Sequence, residues 1–200
     1  MHINSHYAVG LLFGILSHHY YGFDILIILI IIGAAFVQDV DIIFSASAPE
    51  KNHRMLITHS IWPATMVLII AFVLNISWLI IAGFALLSHT LIDMLDWGTN
   101  IFYTGKIYGA RFLLPEEDRQ HLKDLVEKDE LSHSFFTQRY YHSIVFRLIE
   151  LVLISSVVLL MITTRFPYYW LGFLYIPFFG FHTLMRRTEE KRAASLENRS

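Results

Sequence analysis

The sequence predicts an all-α, multi-pass membrane helical bundle of about four to six helices with one amphipathic surface helix, the 200 residues forming a single integral membrane domain. Three observations predict it. The composition is 55% hydrophobic and 16% charged, outside the usual soluble balance. Residues 25–38 and 61–92 contain no Asp, Glu, Lys or Arg. A hydrocarbon core about 30 Å thick needs roughly 20 apolar helical residues, and such runs supply them.

The helices expected are 4–17, 24–38, 56–74, 77–95, 143–164 and 168–186. The first two form a hairpin turning at Ser17 to Gly22, and at about 12 to 15 residues each they suit re-entrant or inwardly packed segments better than full spans. One continuous helix from His59 to Asp93 would run about 50 Å, longer than any bilayer is thick. A break at Asn75-Ile-Ser77 folds it into a hairpin and brings its two ends together. The run 144–164 carries Arg147 and Glu150 near its start, and 166–181 is aromatic-rich with Pro167 and Pro177.

Between them, residues 96–142 form a polar loop. Pro115-Glu116-Glu117-Asp118 suits a helix N-terminus, and Leu122, Leu125 and Val126 follow at helical spacing, which predicts the amphipathic surface helix there. This loop holds six Lys/Arg (Lys106, Arg111, Arg119, Lys123, Lys128, Arg139), and the end of the chain from Arg186 holds five, with a polar tail at 187–200. Residues 1–38 hold none. The positive-inside rule therefore places loop and tail in the cytoplasm.

Charge and composition also exclude. A net charge of −2 argues against nucleic-acid binding through a basic surface. With no cysteine, a metal must sit on His, Asp or Glu, and a thiolate nucleophile is ruled out.

On this topology His6 opens the first helix, Asp39 and Asp41 end the second, His53 and His59 precede or open the third, and His89 and Asp93 close the fourth. All fall at the cytoplasmic ends of their helices. Ionisable groups at that depth are costly unless paired or coordinated, so seven of them at one level form a candidate metal site. His89 and Asp93 stand one turn apart on one helix face, as two ligands of one cation would. Asp39 and Asp41 point apart on a helix, so one can be a ligand and the other its support. Arg54 suits a bidentate grip on phosphate or carboxylate, or a snorkelling charge. His18 and His19 lie at the opposite end and read as interfacial, while His121 and His133 read as loop residues.

The order His6, Asp39-x-Asp41, His53-Arg54-x-x-x-Thr58-His59-Ser60 and Ser88-His89-x-x-x-Asp93 resembles the LexA-regulated, inner-membrane-bound, metal-dependent hydrolase family (YdjM-like), over roughly residues 1–110. Gln38 stands where a proline is expected, and Met55 where a glycine often follows the His-Arg pair. More remotely, the order is similar to zinc-dependent phospholipases C and related single-strand nucleases. That second resemblance implies Asp39 or Asp41, His59 or His53, His89 and Asp93 as ligands of one metal, with Asp93 bridging to a second held partly by His6. The later His-x-x-x-Glu/Asp group of those enzymes does not occur here, so one or two ions are expected.

The donor set suits Zn²⁺, with Mn²⁺ or Fe²⁺ as alternatives. The expected activity is hydrolysis of a phosphoester in a lipid or lipid-linked substrate, with membrane lipid as the partner. Asp39 or Asp41 would accept the proton and Arg54 would hold the anion. Two other readings use the same residues: an ion or proton-coupled transporter, and a non-catalytic membrane protein with a structural metal.

Overall fold

The computed structural model describes residues 3–113, 139–140 and 143–197. Among them the chain is all-helical, with one isolated antiparallel bridge between Thr99 and Tyr108. Helix α1 is Ile3–Tyr21, α2 Ile25–Phe36, α3 Ile61–Val73, α4 Ser77–Asp96, α5 Ile144–Thr163, α6 Trp170–Phe173 and α7 Tyr175–Glu197. The expected surface helix near 115–126 lies outside the described residues.

Each break in this order has a local cause. Gly22 at φ 69° ends the first helix, and the Asp24 carboxylate accepts from Ile27 N at 3.1 Å to open the second. Asn75 adopts φ 52° and parts α3 from α4 where the sequence placed the cut. Ser60 caps α3, its Oγ accepting from Trp62 N at 3.3 Å. The third helix thus begins at Ile61, five residues later than expected, with Pro63 in its first turn where no N–H is needed. Between α2 and α3 the chain tightens into 3-10 turns: Val37–Ser47, Pro49–Lys51, His53–Met55 and Ile57–His59. Extended residues at Ala48, Asn52 and Leu56 interrupt them.

The first hairpin is longer than the sequence suggested. Helix α1 has 19 residues, and α2 with its 3-10 continuation forms a 23-residue apolar stretch. That stretch (Ile25–Ser47), Ser77–Asp96 and Ile144–Thr163 are long and apolar enough to cross a membrane; Ile61–Val73 is apolar but shorter.

Helix α1 lies at the centre, packed on α2, α4, α5 and α7, while α4 packs on both α2 and α3. Gly10 lets α1 and α2 touch, since a Cβ there would sit 2.8 Å from Ala35 Cβ and 2.9 Å from Ile32 O. Tyr7, Leu11, Ile15, Ile28, Ile32, Val157, Met161 and Phe166 form the main apolar core. Large apolar side chains also cover the outside, among them Phe72 and Val73 on α3 and Val152 and Ile162 on α5. Buried histidine and carboxylate inside, with exposed aliphatic surface outside, inverts the soluble pattern.

The segment after α4 turns back under the bundle rather than leaving it. Ile61 N donates to Ile101 O at 2.9 Å, Asn100 N to Arg54 O at 3.2 Å, and Thr99 Oγ1 to His59 O at 3.1 Å. The start of the expected loop is thus the buttress of the turns that carry His53 and His59.

Candidate metal centre

The N-terminal end of α1, the C-terminal ends of α2 and α4 and the turns leading into α3 meet at one end of the bundle. His6, His59, His89 and Asp93 are fully buried there, while Asp39, its side chain 22% exposed, and His53 are partly buried. The convergence expected from sequence is met: Nε2 of His89 lies 3.2 Å from Nε2 of His59.

Among the described residues two sets of donors could each hold a metal ion. His6, Asp39, His89 and Asp93 form one, and Asp39, His53 and His59 the other, the donor atoms of each lying within 4.8 Å of one another. Within the first set, His6 Nε2 is 3.2 Å from Asp93 Oδ1, and His89 Nε2 is 3.5 Å from Asp39 Oδ1 and 3.6 Å from Asp93 Oδ2. Ligands bonded at 2.0–2.1 Å in a tetrahedron stand about 3.4 Å apart, close to these three separations.

Hydrogen bonds on the far side of the His89 and His59 rings aim those two donors. A carbonyl can only accept, so His89 Nδ1 carries the proton it gives to Ala35 O at 2.9 Å. In the neutral ring Nε2 is then a lone pair facing two carboxylates and a second imidazole, an arrangement that calls for a cation. His59 is held the same way: its Nδ1 meets Asp41 Oδ2 at 3.1 Å, and its Nε2 meets Asp93 Oδ2 at 2.8 Å. His6 stacks on His89, ring centroids 3.9 Å apart, and its buried Nδ1 has no hydrogen-bond partner among the described residues.

The 3-10 geometry separates the two aspartates. At three residues per turn, residues two apart point in different directions. Asp39 reaches toward His89, while Asp41 receives Thr58 Oγ1 at 2.6 Å as well as His59. Asp41 thus stands outside both donor sets, as the orienter of a ligand. Gln38 has a task no proline could perform: its Nε2 donates to Thr58 O at 2.9 Å and its Oε1 accepts from Thr90 Oγ1 at 3.1 Å, tying the end of α2 to α4.

Charge in the turns follows from these contacts. Burial, and then the neighbouring His59 and Arg54, push His53 down to about 4, leaving it neutral with a lone pair to offer. Burial alone would lower His59, but the hydrogen bonds to Asp41 and Asp93 prevail and raise it to about 9. A metal binding there must therefore displace a proton.

From sequence, Arg54 suits an anion grip or a snorkelling charge. It is buried instead, with Nη1 2.8 Å from Asp96 Oδ1 and Nη2 3.3 Å from Asp93 Oδ1. Burial opposes its charge, yet Asp93 and Asp96 hold its pKa above the ordinary arginine value. Sequence reasoning missed Asp96, assigning it to the loop; its place three residues after Asp93, on the same helix face, was the available signal. Glu150, read only as a charge near the start of the run 144–164, is another residue so missed. Glu150 Oε1 accepts from Asn4 Nδ2 at 2.7 Å, Ser5 Oγ at 3.3 Å and Tyr140 Oη at 2.9 Å, anchoring the helix turn that carries His6.

Comparison of the chain with protein-family models, with curated proteins and with solved structures finds no match.

Proposed function

We propose that the protein is a multi-pass inner-membrane hydrolase that uses a metal held at its cytoplasmic end to cleave a phosphoester bond in a lipid or lipid-linked substrate. The observation that carries this reading is the grouping of His6, Asp39, His89 and Asp93, drawn from three separate stretches of chain, with donor atoms within 4.8 Å of one another. Two imidazoles and two carboxylates favour zinc, with manganese or iron as alternatives. A divalent ion in this place supplies Lewis acidity and makes water nucleophilic near neutral pH.

The chain's own residues supply the rest. Asp39, shared by both donor sets and partly exposed, is placed to take up a proton from an attacking water. Asp41 fixes the ring of His59. Arg54 balances Asp93 and Asp96, so that four nearby carboxylates do not repel one another into disorder. The second donor set has three protein ligands, which leaves a coordination position free for substrate or water. The Lys/Arg asymmetry of the sequence and the resemblance to the membrane hydrolase family support the location and the reaction class.

One observation favours a second reading. The first donor set has four protein ligands and is almost fully buried, as a closed structural centre would be. One experiment separates the two: metal analysis of detergent-purified protein and of His59→Ala, His89→Ala and Asp93→Asn, with a screen of phosphoester and lipid hydrolysis. Metal and hydrolysis present together in the parent and lost together in the variants is the expected result. Metal without hydrolysis selects the structural reading, and unchanged metal in all three variants removes the site.

A further inference from the structure

A second feature of the molecule begins one turn from the metal centre. Tyr7, Leu29, Ile32, Gly33, Phe36, Leu174, Pro177 and Phe178 line an apolar groove of about 230 Å³ between α1, α2 and α7. Its α2 wall follows the spacing i, i+3, i+4, i+7 from Leu29 to Phe36, a straight stripe about 10 Å long. Gly33 sits on that stripe, and a Cβ built there would meet nothing within 4 Å. The wall is bare at this point, whereas at Gly10 the same two helices are in contact. Leu29 and Leu174 are 42% and 39% exposed, so the groove opens sideways onto the apolar outer surface.

Its position relative to the metal donors gives the groove a meaning. Phe36 closes α2, and Asp39 follows three residues later in the first turn of the 3-10 run. Tyr7 directly follows His6. The groove therefore ends within three residues of chain of Asp39, the one partly exposed donor of the first set, which is where an anionic group must approach a bound cation.

We propose that this groove holds an acyl chain of a bilayer glycerophospholipid while its phosphate faces Asp39 and the metal donors. The proposal rests on the hydrolase reading and names its substrate class. Apolar lining, lateral opening and length suit a hydrocarbon tail entering from the membrane, and the donor cluster at one end suits the charged head. A soluble phosphoester would have no use for the groove.

Photo-crosslinking tests it without needing turnover. The probe is phosphatidylglycerol carrying a diazirine on one acyl chain, incorporated with the full chain in nanodiscs and located by mass spectrometry of labelled peptides. Label is expected on α2 at Leu29 to Gly33 and on Leu174 to Phe178, and excess unlabelled phosphatidylglycerol removes it. Gly33→Leu, which fills the open wall with a better helix former, lowers that label at least tenfold and leaves the metal content of the protein unchanged. Leu174→Trp, from the opposite wall, does the same, so a folding fault in one variant does not decide the outcome.

Label confined to outward residues such as Val152 and Leu159, or groove label undiminished in both variants, overturns the proposal. So does displacement of the probe by a polyisoprenyl phosphate far more readily than by phosphatidylglycerol. A parent that hydrolyses a short-chain phosphoester but takes no groove label fails this proposal alone. A parent that is labelled in the groove but hydrolyses nothing fails the hydrolase reading and keeps the groove.

Discussion

His18, near the end of α1, and His89, on α4, each donate Nδ1–H to a backbone carbonyl, of Phe23 at 2.7 Å and of Ala35 at 2.9 Å. Beyond that bond their surroundings part. The ring of His18 meets the edges of Phe166 and Tyr168, both at 5.6 Å between centroids. The free nitrogen of His89 instead faces Asp39, Asp93 and His59 within 3.6 Å. A histidine at an apolar boundary is satisfied by one carbonyl and a pair of aromatic rings. What makes the other end of the bundle a candidate centre is a fixed lone pair aimed at carboxylates that have no apolar reason to be there.

The largest effect expected from breaking this contrast is that of Asp93→Asn. Asp93 touches His6, His59, His89 and Arg54, all buried, so neutralising it removes a ligand and strips a partner from the guanidinium. The ion of the first donor set should be lost, and the metal-free protein should lose about 3–5 kcal/mol of stability, the usual cost of breaking a buried ion pair. Elemental analysis and thermal unfolding in detergent measure the two. Full metal content in this variant would put the two ends of the bundle on the same footing.

A smaller effect sharpens the distinction between donor and support. Asp39→Asn removes a group common to both donor sets, whereas Asp41→Asn loosens only the ring of His59, which should cost about 10–100-fold in metal affinity. Asp41 also sets a pH signature. His59 rises from 6.5 to about 9 in the folded chain, held there by Asp41 and Asp93. A raised value means that its contribution to the stability of metal-free protein is full below pH 6.5 and is lost as pH rises through about 9, while metal affinity climbs over the same window because the competing proton leaves. Asp41→Asn should flatten both trends. Unfolding and metal titrations at several pH values read them, and an unaltered profile would remove Asp41 from the site.

Much of this architecture was legible because charge is costly in hydrocarbon. Runs empty of Asp, Glu, Lys and Arg marked the helices, and the length of one such run demanded a turn, which Asn75 provides. The same cost marked the site, since carboxylates and imidazoles at helix ends implied mutual partners. Register at the turns was not legible. Periodicity does not tell an α-helix from a 3-10 continuation, so the start of α3 was placed too early and Asp39 and Asp41 could not be separated. The cap Ser60 with Pro63 beyond it carried the missing boundary. Tertiary pairings were the least accessible: Arg54 with Asp96, 42 residues apart, and Asn4 with Glu150, 146 apart, follow from no local pattern.

The smallest effect is expected from His18→Ala. The loss is one hydrogen bond, worth about 0.5–1.5 kcal/mol, and ring contacts of similar size. Phe23 is only half-buried, so water can take over its carbonyl and the cost should sit near the low end. Metal content should not change at all. His18 and His6 are on one helix, 12 residues and about 18 Å apart, so the variant asks whether α1 transmits a disturbance along its length. Glu150 fixes the first turn of α1 through Asn4 and Ser5 independently of the far end, and Gly10 locks its middle against α2. Metal lost from His18→Ala would mean that these two anchors do not hold, and that the helix moves as a rigid rod whose outer end sets the position of His6.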